Sequence, residues 1–321
     1  MSQRLAVRIA AKSEGARDIC VLELEALGDE PLPPYAPGAH IDLHVGPQVV
    51  RQYSLSRYEP GSRRYQIAVL REPASRGGSQ AVHEALGVDD VVEIGLPRNL
   101  FPLHEDASPA LLLAGGIGIT PILCMAEYLV QQGRAFEMHY CAREPARMAF
   151  LDRLRAPALA SHVHLHTDDG LPAQRLDAAQ LLAAQSGQTH LYVCGPGGFI
   201  EAMLNQARSL GWADERVHFE RFSHPDGLPQ AGQTGFEVQL ASSGQVIAVQ
   251  AEESVVQALA RHGVEVETSC EQGICGTCLL GVLEGVPDHR DLYLSEAEKA
   301  RNDQFLPCCS RACSSRLVVD L

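Results

Sequence analysis

Three cysteines lie close together in CEQGICGTC, residues 270–278. Four residues separate Cys270 from Cys275, and two residues separate Cys275 from Cys278. With a fourth cysteine further along the chain, this is the plant-type spacing that holds a [2Fe–2S] cluster through thiolate sulfurs. Cys308 is the fourth ligand that we expect. The segment therefore predicts a centre that accepts and releases one electron at a time.

Alternatives exist for the metal and for the fourth ligand. A structural zinc site also uses four thiolates, but zinc sites favour paired C-x2-C knuckles and this segment contains one such pair. Cys309 competes with Cys308 for the fourth position, whereas Cys313 is expected to be an ordinary thiol. Gly273 and Gly276 predict a loop that wraps closely, with backbone N–H groups facing the sulfurs.

A one-electron cluster cannot take a hydride, so a converter such as flavin is needed. Two segments of the N-terminal region are candidates for binding it: RQYSLS (51–56), which resembles the flavin-binding signature of the ferredoxin-reductase superfamily, and SRGGSQAVHE (75–84). Glycines in the second segment expose backbone donors just before a helical turn, which suits a phosphate. Ser79 is expected to cap that turn. The predicted phosphate residues are Arg76, Gly77, Gly78 and Ser79.

The hydride donor has candidate residues in the middle of the chain. LLLAGGIGITP (111–121) predicts a strand, a glycine turn and the start of a helix, where a pyrophosphate can approach the backbone closely. The segment lacks the third glycine of G-x-G-x-x-G. Thr120 is expected to hydrogen-bond near the phosphates or the nicotinamide. The candidate nucleotide residues are Gly115, Gly116, Gly118, Thr120 and Pro121.

The segment YCAREPARMAF (140–150) follows the next predicted strand, where the adenosine ribose would lie. Arg143 and Arg147 could accept a 2′-phosphate, but Asp168 and Asp169 would repel one nearby. We therefore favour NADH over NADPH. The nearby HVHLH suggests a metal site through His162, His164 and His166, but a half-exposed strand explains this pattern more simply.

The elements that position these residues fall into three groups. Residues 1–103 alternate apolar and polar residues between Gly and Pro turns, which predicts an antiparallel sandwich or barrel. From about residue 109, strands alternate with helices, which predicts a parallel α/β sheet. We expect a flavin domain at 1–103, a nucleotide domain at 104–222, a linker at 223–235 and a cluster domain at 236–321.

These motifs together resemble the phthalate dioxygenase reductase family, which also contains the vanillate demethylase and carnitine monooxygenase reductases. The resemblance covers essentially all 321 residues and is carried by RQYS, GGIGITP, YVCGPGGFI, CEQGICGTCLLGVLEGVPDHRD and PCCSRACSSRLVVDL. It implies an antiparallel β-barrel flavin domain, an α/β nucleotide domain and an α+β, ferredoxin-like (β-grasp) cluster domain. It also implies FMN rather than FAD, since the order flavin, nucleotide, cluster is that of the FMN-containing branch.

The resemblance also assigns individual residues. It implies that Arg51 contacts the flavin, that Tyr53 packs its ring on the isoalloxazine or ribityl and that Ser54 lies near flavin N5. Members of the family end in a similar C-x-S-R segment, which favours Cys308 over Cys309 as the fourth ligand. Near the nicotinamide the resemblance places Cys194, Gly195, Pro196 and Glu220.

The predicted function is electron transfer from NADH through FMN to the [2Fe–2S] cluster and on to a Rieske-type terminal oxygenase. A cytochrome or ferredoxin acceptor is an alternative, and a zinc-dependent or redox-sensing adaptor with a degenerate nucleotide fold is another. The net charge of −14 argues against nucleic acid, and no apolar run is long enough to span a membrane. The N-terminus lacks an export signal, so we expect a cytoplasmic protein. Residues 236–321, with 13 acidic and 6 basic side chains, offer a candidate docking face.

Overall fold

The computed structural model describes residues 3–46, 49–73, 77–105, 109–223 and 234–321. Seven strands of the N-terminal region form one sheet. The strands are β1 Arg4–Ala16, β2 Ile19–Ala26, β3 Ala39–Gly46, β4 Val49–Ser54, β5 Arg64–Leu70, β6 Val91–Gly95 and β7 Arg98–Asn99. Their order is β4-β3-β6-β1-β2-β5, with β7 on β3, and all pairs are antiparallel. An isolated bridge between Leu55 and Ile67 joins the end of β4 to β5 and closes the barrel. The predicted barrel is confirmed.

The interior of the barrel follows the two-residue period of its strands. Side chains at alternate positions point to the same face of a strand, so one set of apolar residues turns inward. Val7 and Ile9 of β1, Leu22 and Leu24 of β2 and Ile41 of β3 are all fully buried in this core. A short helix, α1 Gly78–Glu84, adds Val82 to the same core.

Five parallel strands form the second sheet, as the alternation of strands and helices predicts. They are β8 Ala110–Gly115, β9 Phe136–Ala142, β10 Val163–Thr167, β11 His190–Cys194 and β12 Val217–Glu220, in the order β10-β9-β8-β11-β12. The helices are α2 Ile119–Gln131, α3 Leu151–Leu154, α4 Pro157–Ala160, α5 Ala178–Ala183 and α6 Gly197–Ser209. Every residue of β8 is buried, because apolar clusters cover both faces of the sheet.

The barrel and the parallel sheet belong to one compact unit, Met1–Arg221. Arg153 of α3 joins them. Its guanidinium donates to the Ser56 carbonyl oxygen at 2.8 Å and to the Gln66 side chain at 2.7 Å, both on the barrel, while Glu127 of α2 accepts from it at 2.5 Å. The charge of this partly buried arginine is thus balanced by a carboxylate, and its remaining N–H groups are used across the boundary.

The second unit, Phe222–Leu321, contains the cysteine loop. Its strands are β13 Phe236–Leu240, β14 Val246–Val249, β15 Leu280–Glu284, β16 Pro287–Asp288, β17 Gln304–Phe305, β18 Arg311–Ala312 and β19 Arg316–Val319. Its helices are α7 Val255–Arg261 and α8 Glu296–Arg301. A mixed sheet of order β14-β13-β19-β15-β17 packs against α7, as expected for a β-grasp domain.

Local sequence signals account for two elements of this unit. FEVQLASSGQVIAVQ forms the antiparallel β13–β14 hairpin, with Gly244 in the left-handed region at its turn. Ser254 caps α7 by accepting a hydrogen bond from the backbone N–H of Gln257. Residues 224–233, most of the predicted linker, lie outside the described residues. No helix in the described ranges combines the length and apolar character that crossing a membrane requires.

Candidate active site and cluster loop

Cys194 and Glu220 are the last residues of the neighbouring strands β11 and β12, and they are paired in register. Ala114, near the end of β8, pairs with Cys194 on its other side. Parallel strands end at the same edge of a sheet, and that edge is where open α/β sheets bind their ligands. The two residues expected near the nicotinamide are therefore adjacent at the binding edge.

The barrel contributes Ser54 to this edge. Ser54 is the last residue of β4, is buried, and its hydroxyl donates to Glu220 Oε2 at 3.3 Å. The structure thus brings together the three residues that sequence analysis selected for the chemistry, although they come from three different motifs. A flavin held by the barrel and a nicotinamide held by the sheet would both reach this point.

Burial sets the electrostatics of the site. It raises the pKa of Glu220 to about 8, and the hydrogen bond from Ser54 opposes that rise. Near neutral pH the carboxyl group therefore retains its proton and can donate a hydrogen bond. Burial also raises the pKa of the Cys194 thiol, and the nearby Glu220 adds to the effect. Cys194 is thus a neutral contact group and not a thiolate nucleophile.

The glycine turn after β8 packs directly on the end of β11. A Cβ atom at Gly118 would lie 2.3 Å from the carbonyl oxygen of Cys194, and one at Gly195 would lie 3.0 Å from Gly115 Cα. Gly116 adopts a left-handed φ of +54°. Only glycines permit this contact, which joins the two nucleotide motifs and leaves backbone groups exposed to a pyrophosphate.

The remaining residues of the two motifs have structural partners. Thr120 is buried at the start of α2, and its hydroxyl donates to the Ile117 carbonyl oxygen at 3.1 Å. Pro121 follows it in the first turn of that helix, as predicted. Pro196 is the N-cap residue of α6, so CGP leads directly into a helix N-terminus at the binding edge. This arrangement suits the phosphates of a dinucleotide.

The two flavin motifs also meet. A Cβ atom at Gly78 would lie 2.5 Å from Arg51 Cγ and 2.7 Å from its Nε, so the arginine crosses the start of α1 only because Gly78 has no side chain. Tyr53 is partly buried against the barrel core, and this burial raises its pKa. Arg51 therefore lies where it can pair with a phosphate at the glycine turn.

The predicted cap of α1 is wrong. Gly77 is the N-cap residue, with a left-handed φ of 88°, and no side chain caps the helix. The Ser79 hydroxyl instead accepts a hydrogen bond from the backbone N–H of Glu72 at 3.1 Å. The chain turns into α1 through a conformation that favours glycine, which moves the cap two residues earlier. Arg76 lies outside the described residues.

Residues expected near the adenosine ribose lie after β9 and β10. The backbone carbonyl oxygen of Arg143 accepts a hydrogen bond from the backbone N–H of Asp169 at 3.1 Å. Arg143 and Asp168 are both exposed. Arg147 forms ion pairs with Asp18 at 3.1 Å and with Glu144 at 3.0 Å. Arg143 and two carboxylates therefore share this edge, while Arg147 already has partners.

The four predicted cluster cysteines are buried and form two pairs. The Cys270 thiol donates to the Cys275 sulfur, and this bond lowers the pKa of Cys275. The Cys308 thiol contacts Cys278, and this contact raises the pKa of Cys308. The first predicted ligand thus contacts the second and the third contacts the fourth, while the Cys309 thiol also donates to the Cys308 sulfur.

The separation into pairs bears on the choice between zinc and iron. Zinc with bonds of about 2.3 Å would bring four sulfurs to within about 4 Å of one another. Among the described residues, one group of three candidate ligands has its ligand atoms within 4.8 Å of one another, and it contains no cysteine. The cysteine sulfurs therefore do not converge as one zinc ion would require. A two-iron cluster takes two thiolates on each iron. The paired arrangement therefore fits a [2Fe–2S] cluster better than zinc.

The loop wraps around the sulfurs as its glycines predict. Gly273 and Gly276 have φ values of +71° and +73°. A Cβ atom at Gly273 would lie 2.5 Å from Cys309 Sγ, and one at Gly276 would lie 2.3 Å from the Tyr293 ring. The backbone N–H of Gln272 donates to Cys270 Sγ at 3.3 Å. Such donors stabilise negative charge on the sulfurs.

Sequence analysis missed a buried carboxylate behind this loop. Asp291 is 2% exposed and accepts from the backbone N–H groups of Tyr293 at 3.2 Å and Leu294 at 2.8 Å. The Ser310 hydroxyl donates to it at 3.4 Å. Asp291 therefore ties the segment that packs on Gly276 to the segment that carries Cys308 and Cys309. The only sequence signal was an aspartate directly before the largely apolar LYL, residues 292–294.

Comparison with known proteins agrees with this geometry. Residues 238–313 match the 2Fe-2S iron-sulfur cluster binding domain family, and residues 112–205 match the oxidoreductase NAD-binding domain family. The chain is 51% identical to vanillate O-demethylase oxidoreductase of Pseudomonas sp. (strain HR199 / DSM 7063), over 98% of this chain and 99% of the relative. It is 40% identical, over the full length of both chains, to the heme-dependent oxidative N-demethylase beta subunit of Ectopseudomonas mendocina (strain ymp).

A solved structure matches nearly the whole chain. Phthalate dioxygenase reductase, described as a modular structure for electron transfer from pyridine nucleotides to [2Fe–2S], matches with a TM-score of 0.79 and 37% identity over 99% of this chain and 98% of its own. Because the similarity extends over nearly the whole of both chains, this protein belongs to the phthalate dioxygenase reductase family and is an NADH-dependent oxidoreductase with FMN and a [2Fe–2S] cluster as cofactors.

Proposed function

We propose that this chain is the reductase component of an oxygenase system and that its electron acceptor is a Rieske-type terminal oxygenase. The observation that carries the proposal is the presence of two sites in one chain. Ser54 and Glu220 mark the site where a flavin and a nicotinamide would meet, and the paired cysteines mark an exit for single electrons. When bound, FMN would supply the chemistry that accepts two electrons together from NADH and releases them one at a time.

Each predicted residue has a part in this proposal. The phosphate of FMN would be held by residues of the two flavin motifs, Arg51, Arg76, Gly77, Gly78 and Ser79. Tyr53 would pack on the flavin ring. The pyrophosphate of NADH would be held by the glycine turn from Gly115 to Pro121, together with Gly195 and Pro196. The adenosine ribose would be held by Arg143 and Asp168. Cys194, Ser54 and Glu220 would form the walls of the hydride-transfer site. Cys270, Cys275, Cys278 and Cys308 would ligate the cluster.

Redox potential favours the Rieske acceptor. Plant-type clusters have potentials of roughly −400 mV, and Rieske centres lie between roughly −150 and +300 mV, so electron transfer between them is downhill. Several similar proteins are named as parts of demethylases and dioxygenases. A haem acceptor is the second candidate, because one relative is named as a subunit of a heme-dependent N-demethylase.

Location and domain limits complete the proposal. All ten cysteines lie in the described ranges and none of them forms a disulfide, which fits a reducing compartment, so we propose that the protein acts in the cytoplasm. We also propose the limits 1–103, 104–222 and 236–321 for the three domains, with a linker at 223–235.

The test measures where electrons go. Anaerobically purified protein reduced with NADH is mixed with an oxidised Rieske oxygenase or with an oxidised haem acceptor, and reduction of each acceptor is followed by its spectrum. The proposal expects rapid reduction of the Rieske centre, and C278S should abolish it while leaving flavin reduction by NADH intact. Reduction of the haem acceptor alone would replace the proposal with the second candidate.

A further inference from the structure

Two histidines and a glutamate converge on the outer strands of the parallel sheet. Glu137 and His139 belong to β9, and His164 of the edge strand β10 is paired in register with His139. One carboxylate oxygen, Glu137 Oε1, lies 3.1 Å from His139 Nε2 and 3.4 Å from His164 Nε2. One candidate ligand atom from each of the three residues lies within 4.8 Å of the others.

Hydrogen bonds behind the group fix the tautomer of His139. The carbonyl oxygen of Gln174 can only accept, so His166 Nδ1, 3.2 Å away, donates to it. His166 Nε2 then accepts from His139 Nδ1 at 2.9 Å. A neutral His139 therefore presents the lone pair of Nε2 to the carboxylate of Glu137. Two lone pairs at 3.1 Å repel each other, and a cation between them turns the repulsion into attraction.

We propose that Glu137, His139 and His164 form a binding site for a divalent late-transition-metal cation of the zinc class. Two imidazole nitrogens and one carboxylate oxygen are a known zinc ligand set, with a fourth position for water, whereas calcium and magnesium prefer oxygen ligands alone. Tetrahedral zinc with bonds of about 2.0 to 2.1 Å separates its ligand atoms by about 3.4 Å. The separations from Glu137 Oε1 match this value.

The surroundings provide the orienting contacts that metal ligands need. His166 orients His139, which is 6% exposed, and the Gln185 side chain donates to Glu137 Oε2 at 3.3 Å. His164 stacks on His139 with ring centroids 4.7 Å apart and is more than half exposed, so its ring is free to turn toward a cation. Two of the three ligands are thus held in place and the third closes on the metal.

The site is separate from the nucleotide edge. His139 precedes Ala142, the last residue of β9, by three residues, or roughly 10 Å of extended strand. In the sheet, β10 is an edge strand that pairs with β9 alone. A bound cation would link this edge strand to its neighbour and limit its opening.

Zinc binding to the full-length protein, with FMN and the cluster in place, tests the proposal. Equilibrium dialysis against Zn²⁺ is followed by metal counting, in a C313S background that removes the exposed thiol. We expect H164A and E137Q each to weaken the binding of one Zn²⁺ roughly tenfold or more. His162, which stacks on Phe136 outside the ligand set, provides the control H162A, which should bind as the parent does.

A second probe identifies the ligands. Cu²⁺ bound to the oxidised protein should give an electron paramagnetic resonance spectrum with hyperfine structure from two nitrogens, and H164A should leave one. Equal flavin content and equal Trp212 fluorescence in parent and variants show that the fold is retained. The proposal is overturned if H164A binds zinc as tightly as the parent. It is also overturned if the parent binds none at roughly 100 µM free zinc, well above the dissociation constants typical of histidine-containing sites.

Discussion

The hydroxyl of Ser54 donates a 3.3 Å hydrogen bond to the carboxyl group of Glu220, which joins the end of a barrel strand to the end of a strand in the parallel sheet. The two residues are 166 positions apart in the chain. Ser54 is buried and Glu220 is partly buried, so the bond is poorly screened by water and a small change in position alters the energy of a charge. This relationship explains why the barrel and the sheet must be packed as one unit.

The pH dependence of stability should depend on Glu220. Burial raises its pKa from 4.5 to about 8, so the folded state binds this proton more tightly than the unfolded state. The contribution is therefore constant below about pH 4.5, and the free energy of unfolding falls as the pH rises toward 8, by roughly 5 kcal/mol in total. E220Q should remove this decline.

Urea denaturation between pH 5 and 9 measures the effect. Trp212, the only tryptophan of the chain, lies in the unit that contains Glu220, so its fluorescence reports the relevant unfolding. At each pH, the free energy of unfolding of E220Q is subtracted from that of the wild type. This difference cancels the contributions of other titratable groups. Parallel pH profiles for the two proteins would show that Glu220 ionises normally.

Removal of the Ser54 hydroxyl should affect the same carboxyl group. The hydrogen bond lowers the pKa of Glu220 against the effect of burial, so S54A should raise that pKa further. S54A should also slow flavin reduction by NADH by roughly tenfold or more, because a wall of the hydride-transfer site is lost. Stopped-flow measurement of flavin bleaching across pH values tests both effects. S54T, which keeps the hydroxyl, should restore the pH profile.

Arg153 should control the packing of the barrel on the parallel sheet. R153A would leave Glu127 and Gln66 without this partner and should reduce the free energy of unfolding by roughly 3 kcal/mol. R153K keeps the charge but loses the planar fork, so its effect should be smaller. Arg155, two residues away and exposed, provides the control R155A, which should have little effect. Equal losses for R153A and R155A would contradict the role of Arg153.

Gly118 should be needed for nucleotide binding. An alanine Cβ at this position would lie 2.3 Å from the Cys194 carbonyl oxygen, so G118A must push the end of β11 away from the glycine turn. We expect NADH to bind at least roughly tenfold more weakly to G118A. Gly187, in the loop before β11, has no atom within 4 Å of its Cβ position, so G187A provides the control and should bind NADH normally. Fluorescence titration with NADH compares the two variants.

The sequence predicted the elements more reliably than the contacts between them. Alternation in β1 to β6 and the apolar run of β8 are local signals, and the strands form where the signals lie. The contacts of Arg153 with Ser56 and of Ser54 with Glu220 join residues far apart in the chain, and no local pattern encodes them. The cap of α1 was misplaced because a left-handed glycine precedes that helix and no side chain caps it.

The fourth cluster ligand can be identified by comparing neighbouring cysteines. The Cys308 sulfur contacts Cys278. The Cys309 sulfur instead contacts Cys308, the Leu306 carbonyl oxygen at 3.6 Å and the Ser310 hydroxyl at 3.7 Å. C308S should therefore abolish the iron content and the cluster absorbance while flavin reduction by NADH persists. C309S should keep its iron, although its cluster potential should shift because a buried thiol beside a ligand is replaced.

The variants C308S, C309S and C313S are prepared without oxygen and compared by iron analysis, visible spectra and rates of flavin reduction. The comparison shows whether Cys308 or Cys309 is the fourth ligand. C313S is the control, since Cys313 is exposed and its sulfur lies 3.8 Å from the Pro287 carbonyl oxygen. Loss of iron in C309S with retention in C308S would assign the ligand to Cys309. Loss in both would mean that the adjacent thiols support the cluster jointly, because the Cys309 thiol donates a hydrogen bond to Cys308.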